Sequence, residues 1–183
     1  NKIVKNGCGS DLLRNSKLAS DIIKSVVSSV SVPVSVKIRT GWDFDHKNAP
    51  DFAKMVEDSG ASMLAIHGRT RSQLYSGHVD LDTIKKVKES VSIPVIGNGD
   101  IFTEEDAKNM LEYTGVDGVM VGRGIYGAPW FLNHIIYFLK MGEKLPEPTI
   151  SEKKEILLKH ISSMIEYYGE KTGLFNARKH IAW

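Results

Sequence analysis

Val91-Ser92-Ile93-Pro94-Val95-Ile96-Gly97-Asn98-Gly99-Asp100 decides the fold, because its first five residues echo Val30-Ser31-Val32-Pro33-Val34. Each copy follows an amphipathic helical pattern and opens a short apolar strand. Another strand, Met63-Leu64-Ala65-Ile66, lies between them, and a fourth, Gly118-Val119-Met120-Val121, follows. Strands recurring about every 25–30 residues match the length of one βα unit. The segments between them read as helices. Ile22, Ile23, Val26, Val27 and Val30 share one face; so do Phe52, Ala53 and Val56, then Leu81, Ile84 and Val87, then Ala107, Met110 and Leu111. Pro50, Asp80 and the Thr103–Asp106 pair are helix-start signals. Short, near-continuous apolar strands alternating with helices are parallel strands buried on both faces. The predicted class is α/β.

Beyond the fourth strand, residues 129–141 predict a helix that is apolar nearly all round, through Trp130, Phe131, Leu132, Ile135, Ile136, Phe138 and Leu139. Gly142-Glu143-Lys144-Leu145-Pro146-Glu147-Pro148 breaks the pattern and reads as a linker. A further helix carries Ile156, Leu157, His160, Ile161, Met164 and Ile165 on one side and ends at Gly169. The stretch from Asn176 to Trp183 is mixed, with neither a cap nor a polar tail, so the chain reads as cut.

The 183 residues carry 24 Lys+Arg against 22 Asp+Glu and are 42% hydrophobic, the composition of a globular chain with a sizeable core. A single cysteine excludes a disulfide scaffold, and the modest Gly and Pro content excludes collagen-like or disordered polymers. No apolar run approaches the roughly 18 residues that cross a bilayer, and no signal segment opens the chain, so a cytoplasmic location is expected. Residues 1–150 hold 18 basic and 18 acidic side chains, whereas residues 151–183 hold 6 and 4. The positive excess sits in the C-terminal stretch and points to an anionic partner there.

The informative polar residues follow the strands: Lys37, Arg39, Thr40 and Gly41; His67, Gly68, Arg69 and Thr70; Gly97, Asn98, Gly99 and Asp100; Gly122, Arg123 and Gly124. In parallel α/β folds the C-terminal strand ends form the functional face. Cationic, imidazole and amide groups set beside glycines at four consecutive ends suit a phosphorylated ligand. Glycines let backbone N–H groups approach phosphate oxygens, and Arg123 adds a charged fork. Lys37 suits either an electron-rich ring or a Schiff base. His67 suits a hydrogen bond to a ligand or a core position satisfied by backbone.

Cys8, in Asn6-Gly7-Cys8-Gly9-Ser10, precedes a helix but reads best as a small residue packed near a turn. Metal binding is not expected, because the six histidines never pair at ligand spacing and there is no second cysteine. Asp43, Asp45 and His46 read as a solvated loop.

These residues together resemble the bacterial tRNA-dihydrouridine synthases. The resemblance is carried by Asn6-Gly7-Cys8-Gly9-Ser10, Val36-Lys37-Ile38-Arg39-Thr40-Gly41-Trp42, Ile66-His67-Gly68-Arg69-Thr70, Ile96-Gly97-Asn98-Gly99-Asp100-Ile101 and Met120-Val121-Gly122-Arg123-Gly124, in order over the whole chain. It implies a flavin-bearing (β/α)8 barrel followed by a small helical domain that helps hold tRNA. It also implies reduction of the C5–C6 bond of particular uridines, with NADPH first reducing FMN. By motif, Lys37 and His67 contact the flavin ring, and Asn98, Gly99, Asp100, Gly122 and Arg123 surround its ribityl chain and phosphate. Arg39, Arg69 and Arg71 are candidates for RNA or flavin contact, and Arg178 and Lys179 for RNA contact.

The resemblance also implies an incomplete molecule. The family's catalytic cysteine lies in an Asn-x-Gly-Cys-Pro motif upstream of Asn1, so no catalytic residue is expected in this chain, and Cys8 is not the proton donor. Four strands are present, whereas a whole barrel takes about 250 residues. Residues 1–141 are expected to be the C-terminal half of a (β/α)8 barrel, 142–150 a linker, and 151–183 the start of the helical domain. An open half-barrel with apolar Phe131, Ile135 and Phe138 exposed predicts self-association. Two further readings are a non-redox isomerase or aldolase using Lys37 on a phosphorylated substrate, and a non-catalytic RNA-binding fragment.

Overall fold

The computed structural model describes residues 7–183. The chain divides into two compact units, one running to Gly122 and the other spanning Arg123–Trp183. The division precedes the expected linker. Residues 142–149 form neither helix nor strand.

The first unit opens with a 3-10 turn, Gly9–Arg14, and α1, Ser16–Ser29. Strands β1 (Ser35–Arg39), β2 (Met63–His67), β3 (Val95–Asn98) and β4 (Gly118–Met120) alternate with α2 (Ala49–Asp58), α3 (Leu81–Ser90) and α4 (Glu104–Thr114). All three strand pairings are parallel, and the order β1-β2-β3-β4 follows the sequence. A doubly wound sheet reverses its order at a switch point, whereas a barrel adds each strand beside the last. This is the expected half of a (β/α)8 barrel.

Local chemistry starts α2, α3 and α4 at the signals read from the sequence, and α1 at a cap that the sequence reading did not name. The Asn15 side chain accepts the Leu18 N–H at 3.1 Å ahead of α1, and Pro50 lies in the first turn of α2. Asp80 accepts the Thr83 N–H at 2.9 Å, and Thr103 and Asp106 form a reciprocal capping box. Helix and sheet then share one core. Leu64 and Ile66 of β2, Val56 of α2, Ile84 and Val87 of α3 and Val95 of β3 have no exposed surface. Burying each contributes about 2 kcal/mol. Helix α4 packs tightly because β3 has Gly97 opposite Met110, whose Sδ would lie 2.9 Å from an added Cβ. The face predicted for α1 is only partly covered: Ile23 is buried, while Ile22, Val26 and Val30 stay half exposed.

The second unit holds a 3-10 turn, Arg123–Ile125, and helices α5 (Phe131–Met141), α6 (Ile150–Tyr168) and α7 (Glu170–Ala182). Only Gly169 separates α6 from α7. Gly173 lies against Ile165, and the rings of His160 and His180 stand 4.6 Å apart, so the two helices run antiparallel. Two readings are corrected here. The mixed stretch 176–183 belongs to α7 as far as Ala182. Of the three side chains expected to be exposed on α5, Phe131 and Ile135 are buried and Phe138 is intermediate; Leu132, Ile136 and Leu139 face outward instead. An all-round apolar helix gives no periodicity from which to choose its buried face.

Candidate functional site

Parallel register places the predicted strand-end residues in rows. Arg39 pairs with His67, His67 with Asn98 and Asn98 with Met120, so these four side chains share one face of the sheet. Two residues earlier, Lys37 pairs with Ala65 on that same face. The four residues Lys37, Arg39, His67 and Asn98 are thus brought together on three neighbouring strands.

Their electrostatics differ. Lys37 is exposed and has no carboxylate partner among the described residues. Partial desolvation, then the charge of Arg39, holds its ammonium below the usual lysine range. The Arg39 guanidinium donates to the carbonyls of Thr70 at 2.8 Å and Leu74 at 3.0 Å, which fixes the loop after β2. Burial, then Arg39, Lys37 and Arg69, push His67 down to about 4, with Asp100 opposing. His67 is therefore a neutral imidazole at neutral pH, with its ring 6.5 Å from that of Tyr75. The Asn98 side-chain amide donates to the Met120 carbonyl at 2.7 Å, tying β3 to β4.

Arg69 and Asp100 serve each other. The Arg69 side chain is 2% exposed and donates to both Asp100 carboxylate oxygens, at 2.8 and 2.7 Å. It also donates to the carbonyls of Ser76 and Gly77, so four of its five N–H groups are engaged within the chain. Asp100 sits at φ 50° and additionally accepts the Val79 N–H. Gly99, at φ 126°, is needed at this packed point, because a Cβ would collide with Val79 and lie 2.9 Å from His67. Gly122, by contrast, has open space where a Cβ would stand.

Arg123 lies in the second unit and is exposed. Arg178 and Lys179 are exposed on α7, with Arg178 5.7 Å from the Phe175 ring centre. Lys179 lines a cavity of about 520 Å³ with Trp130, Lys153, His160, His180 and Trp183. In the first unit, a cavity of about 480 Å³ lies against β1, lined by Gly9, Leu12, Ile23, Lys37, Arg39 and Phe52. Cys8 is exposed at the start of the 3-10 turn, where its carbonyl, not its thiol, accepts the Asp11 N–H; Asn6 lies outside the described residues. No cluster of His, Cys, Asp and Glu among the described residues could hold a metal ion. None of their helices is long and apolar enough to cross a membrane.

A family model described as dihydrouridine synthase matches residues 1–183. The chain belongs to the dihydrouridine synthase family. It is 50% identical over 182 residues to a probable tRNA-dihydrouridine synthase of Rickettsia bellii and 49% identical to tRNA-dihydrouridine synthase B of Vibrio cholerae. Both alignments cover 100% of this chain and 56% of the relative, so the chain spans about half the length of the curated relatives it matches. A solved chain from Burkholderia cenocepacia J2315, described as a phosphonomutase, shares the fold at a TM-score of 0.53 and 20% identity. That match covers 84% of this chain and 71% of the other, and it bears on architecture alone.

The sequence reading of this family member missed one group on the same rim. Arg14 and Arg71 lie over the Trp42 ring, 4.9 and 4.5 Å from its centre. Arg71 was singled out, and Trp42 stood in a quoted motif, but Arg14 lies far from both in sequence and carried no signal of its own.

Proposed function

We propose that the protein containing this chain reduces particular uridines of tRNA to 5,6-dihydrouridine, in the cytoplasm, with FMN as cofactor and NADPH as reductant. The observation that carries the reading is the row formed by Arg39, His67 and Asn98 beside an uncompensated Lys37 on one sheet face. That polar set fits an electron-rich ring that carries both acceptors and a donor: one lone ammonium, one neutral imidazole and one amide whose oxygen accepts. When bound, FMN would supply the electrons that saturate the uracil C5–C6 bond.

The chain's own residues then bind and orient. Lys37 would hold positive charge beside the ring of the cofactor and so attract electron density there. Neutral His67 offers one N–H at neutral pH, and Asn98 keeps its carbonyl oxygen available. The Arg69–Asp100 pair positions the loop that carries Gly99 against His67. The open Gly122 and the exposed Arg123 are proposed for the cofactor phosphate. Residues 1–141 are assigned to the flavin-binding barrel and 151–183, after the linker, to a helical tRNA-binding domain with Arg178 and Lys179 among its contacts. The acid that protonates C5 is assigned to the part of the protein outside this chain. The target base has to leave the RNA stack to reach the site.

The test is an FMN titration of the full-length protein followed by flavin fluorescence. Saturable binding that Lys37→Ala and Arg123→Ala each weaken about tenfold is expected, one lost charge contact being worth roughly 1.4 kcal/mol. Wild-type protein that binds no FMN would overturn the reading.

A further inference from the structure

We propose that Arg14 and Arg71, both lying over the Trp42 ring, together grip one backbone phosphate of the substrate RNA. The inference rests on the reading above that the substrate is an RNA, and it assigns a contact which that reading does not contain.

Trp42 is presented rigidly. It follows β1, its N–H donates to the His46 carbonyl at 3.1 Å, and its own carbonyl accepts the Ser72 N–H at 2.9 Å. The Arg71 N–H donates to the Gly41 carbonyl at 2.9 Å, so the loops after β1 and β2 are zipped together beneath the indole. Gly41 has no room for a side chain, because a Cβ would collide with the His46 carbonyl. Two guanidinium groups converge on this one ring. A guanidinium held over an aromatic ring by cation–π attraction still carries a fork of N–H groups that matches phosphate oxygens.

The local charge is only partly compensated. Arg14 meets Asp11 through a single contact at 3.3 Å, and its side chain is 60% exposed. Arg71 has no carboxylate partner among the described residues. Asp43, next to Trp42 in the chain, accepts the backbone N–H groups of Asp45 and His46 and meets the His46 ring. Two cations held on one ring repel each other, and an anion between them removes that repulsion. The cluster sits at the strand ends, on the same rim as Lys37 and His67, where the backbone flanking an unstacked nucleotide has to pass.

The test measures tRNA affinity of the full-length protein as a function of salt. Arg14→Ala and Arg71→Ala are each expected to weaken binding about tenfold and to lower the slope of log Kd against log salt by about one phosphate's worth, roughly 0.7–0.9. The double variant should lose the same single increment, because both side chains hold one phosphate. Arg14 is exposed, so its variant reports binding even if Arg71→Ala disturbs its loop. Unchanged affinity in Arg14→Ala, or a double variant that loses two increments, overturns the shared grip while leaving the function reading intact. Wild-type protein without salt-sensitive tRNA binding overturns both.

Discussion

The two units of the chain are built on different principles. The sheet unit has a core shared by helices and sheet, with Val56, Leu64, Ile66, Ile84, Val87 and Val95 wholly buried. In the helical unit, α6 buries none of its residues and α7 only Gly173 and Ala177. Its helices are held by the close approach at Gly173 and by stacked rings, such as Tyr126 on Trp183 at 4.1 Å. The candidate side chains on the sheet unit are therefore fixed by the core beneath them, whereas Arg178 and Lys179, the candidates on α7, ride on a surface with little beneath it. Placing a small cofactor needs the first kind of support; an RNA backbone tolerates the second.

The largest expected effect tests that contrast directly. Ile66→Ala should destabilise the sheet unit by about 3–4 kcal/mol, through lost burial and the cavity left behind. Leu158→Ala, at a residue already 52% exposed on α6, should change stability by less than about 0.5 kcal/mol. Urea unfolding combined with hydrogen exchange reads both. Equal losses would mean that α6 carries core the structure does not assign to it.

A finer contrast lies within the sheet unit, between two arginines two residues apart. Arg69→Ala should cost about 3 kcal/mol, because it removes the bidentate ion pair from Asp100 and leaves the Ser76 and Gly77 carbonyls without their guanidinium donor. Arg71→Ala should leave stability within about 0.5 kcal/mol, since Arg71 only lies over a ring at the surface. Thermal melts of the two variants separate a structural arginine from a binding one.

That pair also marks what the sequence could and could not convey. Strands were legible because each opens on an unbroken apolar run, Met63–Ile66 and Val95–Ile96, and helix starts because Asp80 and Thr103 are local signals acting over three residues. Fold class and the strand-end grouping of Lys37, His67 and Asn98 followed from those elements. Arg69 is different: its partner Asp100 lies 31 residues away and meets it only because β2 and β3 are neighbours. No spacing rule announces such a pair, so an internal brace reads like a ligand contact. Helix α7 was missed for the converse reason, since the close helix approach at Gly173 replaces an apolar stripe with an absent side chain.

Acid should weaken the sheet unit through His67. Its folded imidazole titrates at about 4, whereas an unfolded one titrates near 6.5. Between those values the unfolded chain binds a proton that the folded chain refuses, so stability falls as pH drops from about 6.5 to 4. After solvent screening, the loss should amount to about 2 kcal/mol. His67→Gln should flatten that part of the pH profile of urea unfolding, and an unchanged slope would assign it to other groups.

The smallest effect is the sharpest comparison, because the same motif occurs once in each unit. Thr103 and Asp106 cap α4, and Thr149 and Glu152 cap α6, with matching reciprocal hydrogen bonds. Removing either threonine hydroxyl in an alanine variant should cost its helix about 1 kcal/mol. The consequence should differ in reach. Helix α4 buries Ala107, Met110 and Thr114, so fraying its first turn loosens the core, and Thr103→Ala should lower the unfolding midpoint of the whole sheet unit. Helix α6 buries nothing, so Thr149→Ala should speed hydrogen exchange only in the first turn of α6. If Thr149→Ala also shifted the global midpoint, the helical unit would be coupled to a core in the way the sheet unit is, and the contrast between the two would fail.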